Sequence, residues 1–321
     1  MKLTFKSIVR NLVSTFILLG LVYYLWKHWG IFNSTLDASW HHIYRLVACI
    51  LIMWILNSIQ VLLLLSQFGV KIGFWENLFL VIAMTLGNYL PMRTGSLLRM
   101  QYLKKIHGFQ YIQFGGILAM RILILIVSTG IFGCIGMIGL RLSGFPFNVY
   151  LLCVFISMVI ISFGAFLIPF PKTEKSGNIL LTLWSDLLLT FETIQSRPLL
   201  LFQVFGLVLL QFIVNAFRLS VAFDAVHVEL SPWILLILSP MTTLIVFLSL
   251  TPGSLGLKEW AIGFISIASG VDFSAGIFAG TLDRAILMAC TFILGFISLA
   301  FVWFRMKSFD GVAYPISKKN Y

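Results

Sequence analysis

The sequence predicts an all-α polytopic membrane protein, arranged as an inverted repeat with about six full spans and two re-entrant broken hairpins. Three observations predict this fold. Of the 321 residues, 60% are hydrophobic and only 10% are charged. Apolar runs of about 18 residues or more recur along the chain, and each is long enough to cross a bilayer. Two further apolar runs stop at a proline and glycine break.

The full spans are predicted from uninterrupted apolar runs. Each holds few charged residues, as a helix surrounded by hydrocarbon requires. They lie at 11–28, 46–65, 114–140, 149–170, 199–217 and 277–304. We interpret the first run as a retained span, because no small-residue cleavage site follows it.

The two interrupted runs lie at 75–90 and 233–250, and they end at Pro91–Gly95 and Thr251–Gly256. Proline removes a backbone donor and clashes with the preceding turn, so it ends or kinks a helix. We therefore predict hairpins near 75–98 and 233–270. Polar residues recur with helical spacing between 178 and 196, which predicts an amphipathic helix at the membrane interface.

The distribution of basic residues favours the re-entrant arrangement. If both interrupted runs return to their own side, the cytoplasmic side receives fifteen of the 22 Lys and Arg residues and the outer side receives three, Lys27, Arg45 and Arg141. Four more, Arg121, Arg218, Lys258 and Arg284, are left at membrane depth or its boundary. This asymmetry follows the positive-inside rule and predicts cytoplasmic termini. The net charge of +11 therefore needs no nucleic acid as a partner.

A single membrane domain of residues 1–321 then divides into inverted halves, 1–140 and 141–321. Each half contains spans and one broken hairpin, and the two hairpins enter from opposite sides. Pro91 precedes Arg121 by 30 residues and Pro252 precedes Arg284 by 32, so the halves have similar spacing. Interrupted segments at matching positions are typical of transport sites.

Five basic residues near the breaks are the predicted ligands of a lipid phosphate. An arginine at the bilayer centre costs about 2.5–3.5 kcal/mol on insertion scales, which favours a function, and guanidinium binds phosphate through two parallel hydrogen bonds. The alternatives are that Arg99 or Arg121 extends to the interface, and that Arg284 pairs with Asp283. The predicted phosphate ligands are Arg93, Arg99, Arg121, Lys258 and Arg284.

Non-helical backbone at membrane depth is stable only inside the protein or against a wet cavity, so we expect the two breaks to face each other. The residues assigned to the breaks are Asn88, Pro91, Gly95, Thr251, Pro252, Gly253 and Gly256. Glu259 is a candidate for an ion pair with Arg93 or Arg121, or for proton coupling. No metal ligand cluster, Walker A sequence or catalytic constellation occurs, so we expect no cofactor and no catalytic residue.

Several segments resemble the lysylphosphatidylglycerol synthase/flippase transmembrane family. The stretch "NYLPMRTGSLLRMQYLKKIHG" is similar to its N-x-x-P-x-R-x-G-E-x-x-R motif, and "AMRILIL" to the E-R-x-x-D helix that follows. "LTPGSLGLKEWAIG" is similar to the second motif, P-x-P-G-G-x-G-x-x-E, and "LDRAI" to the late arginine helix. Ser96, Met120 and Ile124 stand where the family usually has acids, which implies a more positive pocket in this chain.

The resemblance implies a flippase-like protein that moves an anionic phospholipid, or a polyprenyl-phosphate-linked glycan, between leaflets of a bacterial or archaeal plasma membrane. The alternative is an enzyme or accessory subunit of lipid-linked glycan synthesis, with Glu259 as its base. Lysine transfer is not expected, because no soluble aminoacyl-transferase domain accompanies the spans. Membrane lipids are the expected partners, while a homodimer and glycosyltransferase partners stay open.

Overall fold

The computed structural model describes residues 19–30, 39–89, 94–145, 148–167, 188–248, 252–268 and 270–310. These residues form helices and contain no strand. The main helices are α1 Trp40–Ser66, α2 Phe74–Gly87, α3 Thr94–His107, α4 Tyr111–Leu142, α5 Val149–Leu167, α6 Pro198–Asp224, α7 Pro232–Leu248, α8 Leu257–Ala268 and α9 Phe273–Asp310. Residues 19–27 and 188–195 are also helical.

Within the described residues, five helices are long and apolar enough to cross a membrane: α1, α4, α5, α6 and α9. They correspond to five of the predicted full spans, which confirms the all-α polytopic class. Helices α6 and α9 extend beyond their predicted ends, to Asp224 and Asp310. Of the predicted span 11–28, residues 11–18 lie outside the described part of the chain.

Helices α2 and α7 are shorter, at 14 and 17 residues. At 1.5 Å per residue they extend about 21 and 26 Å, less than the roughly 30 Å of a hydrocarbon core. Each is followed by a second short helix, α3 or α8, that packs back against it. The chain therefore forms two helical hairpins at the predicted positions.

Both ends of the first hairpin lie at one end of the bundle. Glu76 lies in the first turn of α2 and His107 ends α3, yet Glu76 Oε1 lies 3.1 Å from His107 Nε2. Glu76 also accepts a hydrogen bond from the Tyr102 hydroxyl at 2.6 Å and pairs with Arg305, near the end of α9, at 3.5 Å. The first hairpin thus starts and finishes at the end that we call the Glu76 end.

The second hairpin starts from the opposite end. Leu230 and Leu235, around the start of α7, pack in one hydrophobic cluster with Val271, which follows α8. The same cluster contains Leu46 from the start of α1 and Phe223 from the end of α6. The two hairpins therefore enter the bundle from opposite ends, as the inverted arrangement predicts.

The hairpins are held by reciprocal packing. Helix α4, after the first hairpin, packs against α7 of the second, and α9, after the second hairpin, packs against α2 of the first. A Cβ added to Gly139 would lie 2.2 Å from the Trp233 ring, so this glycine lets α4 and α7 approach closely. These two helix contacts join the predicted halves into one bundle. The division of the chain at residue 140 stays a prediction.

The predicted amphipathic segment 178–196 is described only from residue 188. Residues 188–195 are helical, and Phe191 and Ile194 are buried in the hydrophobic cluster at the Glu76 end. Their burial shows that this part packs onto the bundle through its apolar side. Its predicted position at a membrane interface stays a prediction.

Candidate functional site

A cavity of about 360 Å³ lies between the hairpins, and residues of α1, α2, α3, α4, α6, α7, α8 and α9 line it. Its lining contains five cationic side chains from five different helices. No Asp or Glu of the described residues lines it. The cationic lining residues are Arg99, Arg121, Arg218, Lys258 and Arg284.

The two hairpin breaks meet beside this cavity. The backbone N–H of Gly253 donates to the Asn88 carbonyl oxygen at 2.7 Å. Gly253 has φ of +59°, and a Cβ there would lie 2.6 Å from the Tyr89 ring. The expectation that the breaks face each other is confirmed at these residues. Pro91, Arg93 and Thr251 lie outside the described residues, and Pro252 begins a 3₁₀ turn, Pro252–Ser254.

Glycine also closes the first hairpin. A Cβ on Gly95 would lie 2.0 Å from the Met84 carbonyl oxygen, and one on Gly87 would lie 2.6 Å from the Cα of Gly95. The Thr94 hydroxyl donates to the Gly87 carbonyl oxygen at 2.9 Å and joins the two arms. Because only glycine permits this contact, the backbone places the start of α3, and with it Arg99, beside α2.

Arg99 is buried inside the bundle and does not extend to an interface. The residue is only 1% exposed. One guanidinium nitrogen donates to Asn77 Oδ1 at 3.1 Å, and Asn77 in turn donates to the carbonyl and hydroxyl oxygens of Ser58. The Nε atom of Arg99 is buried without a hydrogen-bond partner in the described part of the chain.

Arg121 also points inward, from α4. Its Nη2 donates to Asn57 Oδ1 and to Gln60 Oε1, each at 2.8 Å. Its Nε is buried and unpartnered within the described residues. No carboxylate of those residues forms an ion pair with Arg99 or Arg121, so neither guanidinium charge is neutralised beside the cavity. The alternative that either extends to the interface is wrong.

Helices α6, α8 and α9 hold a compact ionic triad. Arg218 Nε lies 2.9 Å from Asp283 Oδ1, and Lys258 Nζ lies 2.8 Å from Asp283 Oδ2. All three side chains are buried. Asp283 thus pairs with two cations from α6 and α8, and the alternative of a local pair with Arg284 is wrong, because neighbouring residues of a helix point in different directions.

Arg284 instead faces Glu259. Their Nε and Oε1 atoms lie 3.6 Å apart, and the guanidinium lies 5.5 Å from the centre of the Tyr89 ring. The expected pairing of Glu259 with Arg121 is therefore wrong, since Arg121 binds amides. Nε and Nη2 of Arg284 and Oε2 of Glu259 are buried without hydrogen-bond partners among the described residues.

The three positions at which the similar family usually has an acid, Ser96, Met120 and Ile124, lie in two different environments. Ser96 lines the cavity, so an acid at this position would face the cations. Met120 and Ile124 are 0% and 4% exposed and lie in the hydrophobic core. In this chain those two positions contribute packing, and the positive lining follows from Ser96 and from the amide partners of Arg121.

Four residues of the site were not among the predicted ligands: Arg218, Asp283, Asn57 and Gln60. A signal for them exists in the sequence. Asn57 and Gln60 stand three residues apart on α1, and Asn215 and Arg218 stand three apart on α6. Asn215 accepts from Arg218 at 3.0 Å and donates to Ser239 of the second hairpin. The repeated spacing marks one polar face on each of these two spans.

The electrostatics suit an anion. Five cations against the two nearby carboxylates, Asp283 and Glu259, leave an excess of three positive charges around the cavity. Unpaired buried charge costs several kcal/mol per ion, and a bound anion would offset it through charge-assisted hydrogen bonds. In the described part of the chain no group of three or more His, Cys, Asp and Glu residues could hold a metal ion.

The family of the chain follows from a comparison with known proteins. The family model described as the lysylphosphatidylglycerol synthase TM region matches residues 11–295. Comparison with curated proteins and with solved structures gave no match. The match spans both hairpins and every cation of the cavity. The chain is therefore an integral membrane protein that belongs to the family of the lysylphosphatidylglycerol synthase transmembrane region.

Proposed function

We propose that this protein binds the phosphate of an anionic membrane lipid in the cationic cavity and moves that lipid between the leaflets. The observation that carries the proposal is the lining itself, with five cations and no lining acid among the described residues. Guanidinium groups present parallel donors that fit phosphate oxygens. Membership of the family supports a role with membrane lipids.

The lining favours a lipid over a small water-soluble anion. Leu118 of α4 and Val246 of α7 both line the cavity, and they are 37% and 40% exposed. Part of the lining is therefore both apolar and accessible, as contact with lipid chains requires. A headgroup can sit near Arg121 while acyl chains leave past these residues.

The hairpins provide a route for translocation. They enter from opposite ends and meet at their breaks, where Gly253 bonds to Asn88. The first helix of each hairpin packs against a long helix, α2 against α9 and α7 against α4. Rocking of one half against the other would open the cavity first to one end and then to the other.

A liposome assay tests the proposal. Purified protein is reconstituted with a fluorescent phosphatidylglycerol, and transfer between leaflets is followed by quenching with dithionite. We expect the Arg99→Gln, Arg121→Gln double variant to lose most of the protein-dependent transfer. The matched control is Lys27→Gln, Arg45→Gln, which removes two cations outside the cavity and should transfer lipid normally. Normal transfer by the first variant would contradict the role of the cavity cations.

The same assay separates transport from a role in synthesis. A protein that assists lipid-linked glycan synthesis without transport would transfer no lipid in any form, yet would turn over a lipid-linked sugar. Glu259, the candidate base for that alternative, faces Arg284 at 3.6 Å. A carboxylate paired with a cation suits positioning of that cation, so the geometry gives transport the stronger support.

A further inference from the structure

We infer that the cavity selects a lipid whose phosphate group carries two or more negative charges, a phosphomonoester or a diphosphate, over a phosphodiester that carries one. The inference rests on the proposed function, because it concerns the lipid bound at the same site. It goes further by naming the chemical class of the headgroup.

The charge balance of the cavity is the first argument. Its five cations face two carboxylates, so three positive charges are not offset by a negative charge among the described residues. The other described acids lie elsewhere. Glu76, for example, is engaged by Tyr102, His107 and Arg305 at the Glu76 end.

The position of the excess is the second argument. Asp283 offsets one of the two positive charges of the triad, and Glu259 lies beside Arg284. Arg99 and Arg121 have only amide and thioether partners, Asn77, Met84, Asn57 and Gln60, among the described residues. Two of the three excess charges therefore lie on guanidiniums of α3 and α4 that face the same cavity, and the third lies on the triad.

Unused donors are the third argument. Three guanidinium donors are buried without hydrogen-bond partners in the described part of the chain: Nε of Arg99, Nε of Arg121 and Nη2 of Arg284. A buried unsatisfied donor on a charged group is destabilising, so each favours a ligand oxygen. A phosphomonoester offers three strong acceptor oxygens, whereas a phosphodiester has two that are not bridging.

The number of ligand charges then decides the preference. A phosphodiester would leave about two of the three excess charges buried and uncompensated. A phosphomonoester, with about 1.5–2 negative charges at pH 7, would leave about one. A diphosphate would offset two or three. Since each unpaired buried ion is costly, affinity should rise with ligand charge.

Ligand affinities of the purified full-length protein in nanodiscs of neutral phosphatidylcholine test the inference. The probes are dioleoyl phosphatidic acid and dioleoyl phosphatidylglycerol, which share acyl chains and differ in the second charge. Farnesyl diphosphate tests a different chain, and inorganic diphosphate tests the headgroup alone. We expect phosphatidic acid and farnesyl diphosphate to bind at least about tenfold more tightly than phosphatidylglycerol, and inorganic diphosphate to bind more weakly than either.

Variants tie the preference to the two guanidiniums. Arg99→Gln, Arg121→Gln should reduce the ratio of affinities between phosphatidic acid and phosphatidylglycerol to about one. Arg99→Lys, Arg121→Lys keeps both charges and should keep most of the ratio, and it serves as the variant for comparison if the glutamine protein folds poorly. Lys27→Gln, Arg45→Gln should leave the ratio unchanged.

The outcomes separate this inference from the proposed function. Equal affinity for the two dioleoyl lipids, both dependent on Arg99 and Arg121, would overturn the inference and leave the proposed function standing. Inorganic diphosphate that binds as tightly as farnesyl diphosphate would overturn the lipid part of the inference. No binding of any anionic lipid would overturn both.

Discussion

The backbone N–H of Gly253 donates a hydrogen bond of 2.7 Å to the carbonyl oxygen of Asn88, and this bond joins the broken tips of two hairpins that enter from opposite ends. Both residues line the cavity. Backbone groups freed by a break need partners inside a membrane protein. The second break supplies a donor for the Asn88 carbonyl of the first, and the contact holds the two breaks together.

The first prediction concerns Gly253. Its φ of +59° costs a residue with a side chain about 1–2 kcal/mol, and a Cβ would also overlap the Tyr89 ring at 2.6 Å. We expect Gly253→Ala to lower the melting temperature in detergent and to reduce lipid transfer. The matched control is Gly206→Ala in α6, where a Cβ would have no neighbour within 4 Å. Equal melting temperatures for the two variants would show that the breaks do not need this contact.

The second prediction concerns the ionic triad. Asp283→Asn leaves Arg218 and Lys258 buried with no carboxylate between them, so it should destabilise the protein by about 3–5 kcal/mol. The double variant Arg218→Gln, Asp283→Asn removes one of those cations and should recover part of the loss. Thermal unfolding of the three proteins measures the effect. An Asp283→Asn protein as stable as the wild type would contradict the assignment of Asp283 as a structural anion.

The third prediction concerns Arg99 in the unliganded protein. Its charge is buried with Asn77 and Met84 as its only described partners, so it adds little net stability. Arg99→Gln can keep a donor for Asn77, and we expect its unfolding free energy to fall by at most about 1 kcal/mol or to rise. A fall as large as that of Asp283→Asn would mean that Arg99 is a structural residue instead of a ligand-binding one.

The fourth prediction concerns Glu76, which joins α2, α3 and α9. Its carboxylate accepts from Tyr102 at 2.6 Å and pairs with His107 and Arg305. Glu76→Gln keeps an acceptor for Tyr102 but loses the charge, so we expect a loss of about 1–2 kcal/mol. Hydrogen exchange should become faster at the end of α3. Glu192→Gln, which changes an exposed acid in segment 188–195, should alter neither quantity.

Much of the fold could be predicted from the sequence because its signals are local. Apolar runs marked the spans, and Pro91 and Pro252 with their neighbouring glycines marked the breaks. Helix ends were less predictable. The apolar run at 199–217 ends before Arg218, yet α6 continues to Asp224, because Arg218 has Asp283 as a buried partner. A hydropathy profile carries no information about a partner that lies 65 residues away in the sequence, as Asp283 does from Arg218.

The cations of the candidate site could be predicted from the sequence, but their partners could not. Arg99, Arg121, Lys258 and Arg284 were predicted from depth and charge, and all line one cavity. Their partners were not predictable, since they depend on how α4 packs on α7 and α9 on α2. That packing places Arg121 against the amides of α1 and leaves Glu259 to Arg284. The pairing decides which cations keep an excess charge.

Native mass spectrometry of the protein as purified from its membranes tests the central claim most directly. We predict that the wild type and the Lys27→Gln, Arg45→Gln control retain a bound anionic phospholipid or polyprenyl phosphate, identified by its mass after release. The Arg99→Gln, Arg121→Gln protein should retain none. The same anionic lipid at the same occupancy in all three proteins, or none on the wild type, would contradict a phosphate site in this cavity.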